Sequence, residues 1–177
     1  KDGKKIKYAT FEGPSEFISS PVFHKGSVIS LIGQDPEHGE GVGRMFSVNA
    51  KTGKVNWDYT EIERGISTVS IADDLIYAAD YRGRVHCVDF NTGKKIWMYD
   101  TKSHIWGSTL AADGKVFIGN EDGEVVILKH GREMKELGIV EFSAPVYASP
   151  VIANGVLYIA SQTHLYAFKE GAKTASK

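Results

Sequence analysis

The chain is poor in cysteine, in proline and in long hydrophobic runs. One cysteine in 177 residues excludes an internal disulfide. Cys87 lies between Val85 and Val88 in a strand-like run, which reads as a buried, inert thiol. No apolar run approaches the ~20 residues of a membrane-spanning helix. Five prolines against nineteen glycines suit many tight turns and no disordered linker. Charge of one sign is also missing: 21 Lys and Arg face 22 Asp and Glu, for a formal net charge of −1. The basic residues are scattered, so there is no stripe for nucleic acid. No G-x-S-x-G, metal-protease or phosphate-loop pattern appears, which removes the common hydrolase nucleophiles. The opening Lys1-Asp2-Gly3 has no initiator Met or signal sequence and reads as the middle of something longer.

What the chain does have is a repeat. Trp57 and Trp97 lie 40 residues apart, and Thr52-Gly53-Lys54 recurs as Thr92-Gly93-Lys94. Asn49 recurs as Asp89, and Gly43 as Gly83 and Gly123. A period near 40 points to propeller blades or helical arrays. Strand grammar decides between them. Short runs such as Leu75–Ala79, Val116–Gly119 and Val156–Ala160 are rich in Val, Ile, Tyr and Phe. Ala72-Asp73-Asp74, Ala112-Asp113-Gly114 and Ala153-Asn154-Gly155 bound them as hairpin turns. No helical period is sustained.

Each unit reads as four strands, A to D. The second unit places them near Ser67–Ile71, Leu75–Ala79, Val85–Asp89 and Lys95–Tyr99. The third places them near Ser108–Ala111, Lys115–Gly119, Glu124–Leu128 and Lys135–Ile139, with Leu137 at the Trp position by spacing. Radially stacked four-stranded antiparallel units make an all-β propeller, here of about four blades. Residues 19–60, 61–101 and 102–141 are expected to be blades, and 142–171 a last blade without its strand D. Residues 1–18 read as strand D of a preceding blade plus a connector, because Gly3-Lys4-Lys5-Ile6 matches Gly93-Lys94-Lys95-Ile96. Residues 172–177 read as a disordered tail.

Val48–Trp57 and Val88–Trp97 carry a resemblance to the pyrroloquinoline-quinone-type (PQQ-like, BamB-like) β-propeller repeat family with its tryptophan-docking motif. The resemblance covers nearly the whole chain. It implies that Trp57 and Trp97 pack between blades, with Gly53 and Gly93 in the C–D turns. It also implies a ring of seven or eight blades. Three assemblies fit: half of an eight-bladed ring completed by missing chain, a pair of copies, or a four-bladed ring closed alone.

Strand direction puts the D–A and B–C connections at one end of the propeller. That end is chemically rich, whereas the A–B and C–D turns are stereotyped. The candidates for a ligand or partner face are therefore Arg64, Tyr81, Arg82, His104, Trp106, Glu121, Asp122, Gln162 and His164. His86 reads as a core or groove residue, and His24 and His130 as solvated turn residues. The long B–C connection after Gly33 carries Asp35, Glu37, His38 and Glu40. These are oxygen and imidazole donors for Ca²⁺ or a transition metal, or simply a solvated acidic loop.

Two functions follow. The preferred one is a non-catalytic scaffold that binds a protein, peptide or carbohydrate partner through the D–A/B–C face, with no cofactor. The resemblance places such members in the periplasm or outside the cell. The alternative is part of a PQQ-dependent dehydrogenase, which the resemblance links to Ca²⁺ and often to a pair of adjacent cysteines. A single cysteine cannot form that pair, so most cofactor ligands would lie outside this chain.

Overall fold

The computed structural model describes residues 16–33 and 41–172. Their strands form four antiparallel sheets, each in hairpin order. The first holds β1 (Val22–His24), β2 (Ser27–Gly33), β3 (Gly43–Asn49) and β4 (Val55–Tyr59). The second holds β5 (Ser70–Ala72), β6 (Leu75–Ala79), β7 (Arg84–Asp89) and β8 (Lys95–Asp100). The third holds β9 (Leu110–Ala112), β10 (Lys115–Gly119), β11 (Glu124–Lys129) and β12 (Glu136–Glu141). The fourth has three strands among the described residues: β13 (Val151–Ala153), β14 (Val156–Ala160) and β15 (Leu165–Phe168). Together they make a partial all-β propeller. The strand expected within residues 1–18 and most of the 172–177 tail lie outside the described residues.

The repeated Thr-Gly signature has a local cause. Asn49 Oδ1 accepts the amides of Lys51 and Thr52, and Asp89 Oδ1 accepts those of Asn91 and Thr92. These Asx turns bend the chain. Gly53 (φ 74°) and Gly93 (φ 68°) then close each loop through an amide bond back to the carbonyl of Asn49 or Asp89. At Gly93 there is a second reason for glycine. A Cβ there would stand 2.6 Å from the Trp57 ring of the preceding blade.

The first-strand positions fall later than the spacing suggests. β5 starts at Ser70 rather than Ser67, and β9 at Leu110 rather than Ser108. The preceding residues are engaged between blades instead. Ser67 Oγ donates to Gly107 O at 2.7 Å. The amide of Ser20 donates to Thr68 Oγ1, that of Thr68 to Ser108 Oγ, and that of Ser108 to Ser149 Oγ, at 3.1, 2.9 and 2.8 Å. A ladder of amide-to-hydroxyl bonds thus crosses all four blades.

Apolar faces fill the gaps between sheets. Ile29, Leu31 and Met45 of the first blade meet Ile76, Ala78 and Val88 of the second. Tyr77, Val85, Cys87 and Trp97 of the second meet Val116, Ile118 and Leu128 of the third. Val125 meets Val146 and Ile159 at the last gap. Each fully buried aliphatic side chain stabilises by roughly 1.5–3 kcal/mol. The indole N–H of Trp57 donates to Phe90 O at 2.8 Å, and that of Trp97 to Gly131 O at 2.9 Å. Each ring therefore reaches forward to the C–D turn of the next blade and finds the partner a buried indole needs.

Leu137 does not take the Trp position. Trp57 pairs with Ser47 and Trp97 with Cys87, but the matching Ile127 pairs with Gly138. The C–D turn of the third blade is one residue longer, so counting 40 residues lands one short. Leu137 is exposed instead. The three C–D pairings all carry a register shift at the same point, after Ser47, Cys87 and Ile127.

Candidate functional site

The D–A and B–C connections are clamped together by backbone bonds that repeat from blade to blade. The amides of Tyr81, Glu121 and Gln162 donate to the carbonyls of Arg64, His104 and Pro145, at 2.8, 2.9 and 2.8 Å. Ile105 N returns to Tyr81 O at 3.2 Å, and Val146 N to Asn120 O at 3.0 Å. The two loops nearly touch at Gly83 (φ 104°), where a Cβ would stand 2.2 Å from Ser103 O. That close approach explains the periodic glycine. Thr101 Oγ1 donates within the same contact, to Gly83 O and Ser103 O, both at 2.9 Å.

Seven of the nine candidate face residues come together on this frame. The Tyr81 ring stacks on His104 (centroids 4.6 Å, 16° between planes) and meets Trp106 edge-on at 5.0 Å. Arg64 stands over Tyr81 at 5.6 Å. Its side chain is largely buried and lies 3.8 Å from Glu16, so it supports the cluster more than it presents a charge. Trp106 also meets Tyr147 edge-on at 5.9 Å. Glu121 sits among the rings: His104 Nδ1 at 3.2 Å and the Trp106 indole N–H at 3.4 Å face Oε2, and the Tyr147 hydroxyl faces Oε1 at 3.4 Å. Burial, then the Glu121 charge, raises the Tyr147 phenol above its ordinary range.

Beside the rings lies a shallow recess of about 190 Å³, lined by Arg82, Lys102, Ser103, His104, Glu121 and Asp122. Its cations are already engaged. Arg82 pairs with Glu63 at 3.0 Å, and Lys102 with Asp100 at 2.6 Å. Gln162 and His164 stand apart on the fourth blade, where His164 contacts Thr163 and Tyr166.

Sequence reasoning missed Tyr147 and Glu63. Tyr147 lies two residues after Pro145, whose carbonyl accepts the Gln162 amide as that of His104 accepts the Glu121 amide. It therefore occupies the same slot as Trp106, and aligning the D–A loops would have found it.

Behind the face lies a buried polar chain across the first inter-blade gap. Asp80, next to the candidate Tyr81, is fully buried, as is His86. Asp80 Oδ1 accepts the amide of Arg84 at 3.0 Å, which pulls its carboxylate under the turn. Asp80 Oδ2 lies 3.1 Å from His86 Nε2, and His86 Nδ1 lies 2.9 Å from the Tyr59 hydroxyl. A carboxylate only accepts, so Nε2 carries the hydrogen, and in the neutral imidazole Nδ1 accepts from Tyr59. His24 and His130, expected in solvent, also reach across gaps. His24 bonds Asp74 at 3.1 Å, and His130 bridges the Tyr77 hydroxyl (2.7 Å) and Asp73 (3.0 Å). Burial pushes the Cys87 thiol up to about 12, as an inert core cysteine requires.

Asp35, Glu37, His38 and Glu40 lie outside the described residues. Among the described residues, no group of three or more His, Cys, Asp or Glu side chains could hold a metal ion. No helix among them is long and apolar enough to cross a membrane.

Residues 41–133, just over half of the chain, match the sequence family described as outer membrane protein assembly factor BamB. The chain is 29% identical over 134 residues to the outer membrane protein assembly factor BamB of Shewanella oneidensis, covering 67% of this chain and 34% of that protein. It is 28% identical over 133 residues to the quinohemoprotein alcohol dehydrogenase ADH IIB of Pseudomonas putida, covering 66% of this chain and 18% of the enzyme. The crystal structure of BamB from Moraxella catarrhalis superposes with a TM-score of 0.72 at 19% identity, over 86% of this chain and 46% of that one. The chain thus spans about a third or less of these two curated relatives.

Proposed function

This chain belongs to the outer membrane protein assembly factor BamB family of PQQ-type propellers, and from that premise we propose that it is a non-catalytic scaffold that binds a protein partner through its D–A/B–C loop face. The observation that carries the reading is the aromatic cluster on that face. Trp106 and Tyr147 are 45% and 37% exposed, yet both are held by neighbouring rings and by Glu121. Exposed, pre-positioned Trp and Tyr are the side chains that dominate binding energy at protein interfaces. The backbone clamps keep them in place, so little ordering entropy is lost on association. The name of the Shewanella relative supports a partner in outer membrane protein assembly, and the family resemblance a site of action in the periplasm or outside the cell.

Photocrosslinking tests this. Benzoylphenylalanine at position 102 lies on the loop face, and at position 115 beside the opposite A–B turn. A partner captured from 102 and lost with Trp106→Ala is expected. Equal capture from both positions would defeat the reading.

A second reading is favoured by the similarity to the quinohemoprotein alcohol dehydrogenase over 133 residues. In it, the chain is part of a PQQ-dependent dehydrogenase whose cofactor ligands lie mainly elsewhere. Reconstitution with PQQ and Ca²⁺, followed by dye-linked oxidation of alcohols, separates the two. Turnover would displace the scaffold.

A further inference from the structure

We propose that Glu121 and the rings around it form a seat for one cationic side chain, arginine or lysine, projecting from a protein partner. The inference rests on the loop-face reading above and names the chemistry of its central contact.

The carboxylate is under-used. A carboxylate has about four acceptor sites, and charge-assisted bonds to it run near 2.7–2.9 Å. Glu121 has three neighbouring donor groups at 3.2, 3.4 and 3.4 Å, and its side chain is 38% exposed. Among the described residues, no lysine or arginine pairs with it. The other carboxylates near the recess differ. Glu63 takes both Arg82 and Arg84, and Asp100 takes Lys102. Around the recess Arg82, Arg84 and Lys102 stand against Glu63, Asp100, Glu121 and the exposed Asp122, an excess of one negative charge, and Glu121 and Asp122 are the two that pair with no lysine or arginine among the described residues.

The walls suit a cation as well. The Trp106 and Tyr147 rings meet the carboxylate by their N–H and O–H ends, and a cation that also reaches a ring face gains from the ring quadrupole. The chain already makes one such contact, with Arg64 over Tyr81. A guanidinium fits best, because its planar fork can bond both oxygens while lying against a ring. A neutral side chain would leave two carboxylates unpaired beside the interface. An anionic one would face them directly.

Acetyl-Gly-Arg-Gly-amide and its citrulline counterpart, a neutral isostere, provide the probes. Each is titrated into the 177-residue chain while the Trp106 indole N–H signal is followed, assigned through Trp106→Phe. The arginine peptide should shift that signal saturably in the millimolar range, with the citrulline peptide roughly tenfold weaker. Glu121→Gln should weaken arginine binding by about the same factor and leave the Tyr81 ring signals in place. An equal response to citrulline, an unchanged affinity in Glu121→Gln, or no response to arginine would each overturn the seat. The position-102 crosslink separates the two levels. If it still captures a partner while Glu121→Gln binds the arginine peptide as the parent does, the seat is wrong and the loop-face reading stands. If the peptides behave as expected but nothing is captured, the seat stands and the loop-face partner falls.

Discussion

Replacing Asp80 and His86 with their third-blade counterparts, and removing the Tyr59 hydroxyl, tests what the buried Tyr59–His86–Asp80 chain does. One period on, Asp80 becomes Asn120, His86 becomes Val126 and Tyr59 becomes Tyr99. The third blade buries Asn120 and Val126 as fully as the second buries Asp80 and His86. Asn120 Oδ1 also caps the turn as Asp80 does, accepting the Glu124 amide at 2.9 Å. The polar chain is therefore not needed to build a blade. His86→Val alone would orphan the Tyr59 hydroxyl and leave the Asp80 carboxylate with backbone donors only. At about 1–3 kcal/mol per unsatisfied buried group, and more for a charged one, the loss is roughly 3–5 kcal/mol. Asp80→Asn alone keeps the cap but presents an N–H₂ group or a flipped amide to Nε2. The imidazole then changes tautomer and its Nδ1–H displaces the Tyr59 hydrogen, for about 1–3 kcal/mol. Tyr59→Phe strands Nδ1 at about 1–2 kcal/mol. The triple variant removes the imidazole, the hydroxyl and the charge and leaves one amide N–H₂ group unpaired, because the Glu124 carboxylate that takes the Asn120 N–H₂ has Arg84 at its place in the second blade; it should stand about 1–3 kcal/mol below the parent. Urea denaturation followed by tryptophan fluorescence, with an unchanged m-value, reads all four proteins. In melting temperature the His86→Val loss is on the order of 10 °C for a chain of this size. A triple variant as unstable as the sum of the three singles would refute the pairing logic.

Other positions make sharper, smaller tests. Gly93→Ala should cost about 2–4 kcal/mol, since its Cβ meets the Trp57 ring, whereas Gly114→Ala, with a similar φ of 67° and nothing within 4 Å, should cost only the ~1–2 kcal/mol of left-handed strain. Equal losses in chemical denaturation would count against the forward-docked ring. Cys87 should resist a disulfide reagent at pH 8 until urea unfolds the chain, because its thiol is pushed up to about 12; prompt labelling of the native protein would contradict its burial. The Lys25 and then the His24 hydrogen bonds hold the Asp74 carboxyl below its ordinary range. A depressed folded value means the contribution is present above the unfolded carboxylate value near ~4 and is lost as pH falls through the folded one. Asp74→Asn should therefore flatten part of the acid limb of a stability–pH profile, and an unchanged limb would argue against the pair.

Most of the fold was legible because hairpin chemistry is local. β6 and β10 fall where alternation and turn residues put them, since Asp, Asn and Gly act within a few residues of themselves. Errors arise where the deciding partner sits in another blade. Ser67 and Thr68 look like strand but serve the neighbouring loop. His130 looks like a solvated turn residue until Tyr77 and Asp73 arrive beside it. Leu137 fails for a different reason: spacing counts residues, and one extra turn residue moves Gly138 opposite Ile127. The candidate face was found through irregularity, which gathers Tyr81, His104, Trp106 and Glu121 correctly. It missed Tyr147 because that residue's role appears only when loops are aligned by their backbone bonds. Gln162 and His164 share the loop class of the others but belong to the next blade.

Two repeated sets of bonds between blades point one way. Amides of Ser20, Thr68 and Ser108 donate forward in sequence, and the indoles of Trp57 and Trp97 do the same. The array is therefore vectorial, like a row of identical plugs and sockets. Adding a period by in-frame duplication would give the new blade a ready socket behind and a ready plug ahead. Reversing one would set donor against donor on both sides. A propeller wired in this sense can change its blade number by simple copying, while its loop face is free to diverge one blade at a time.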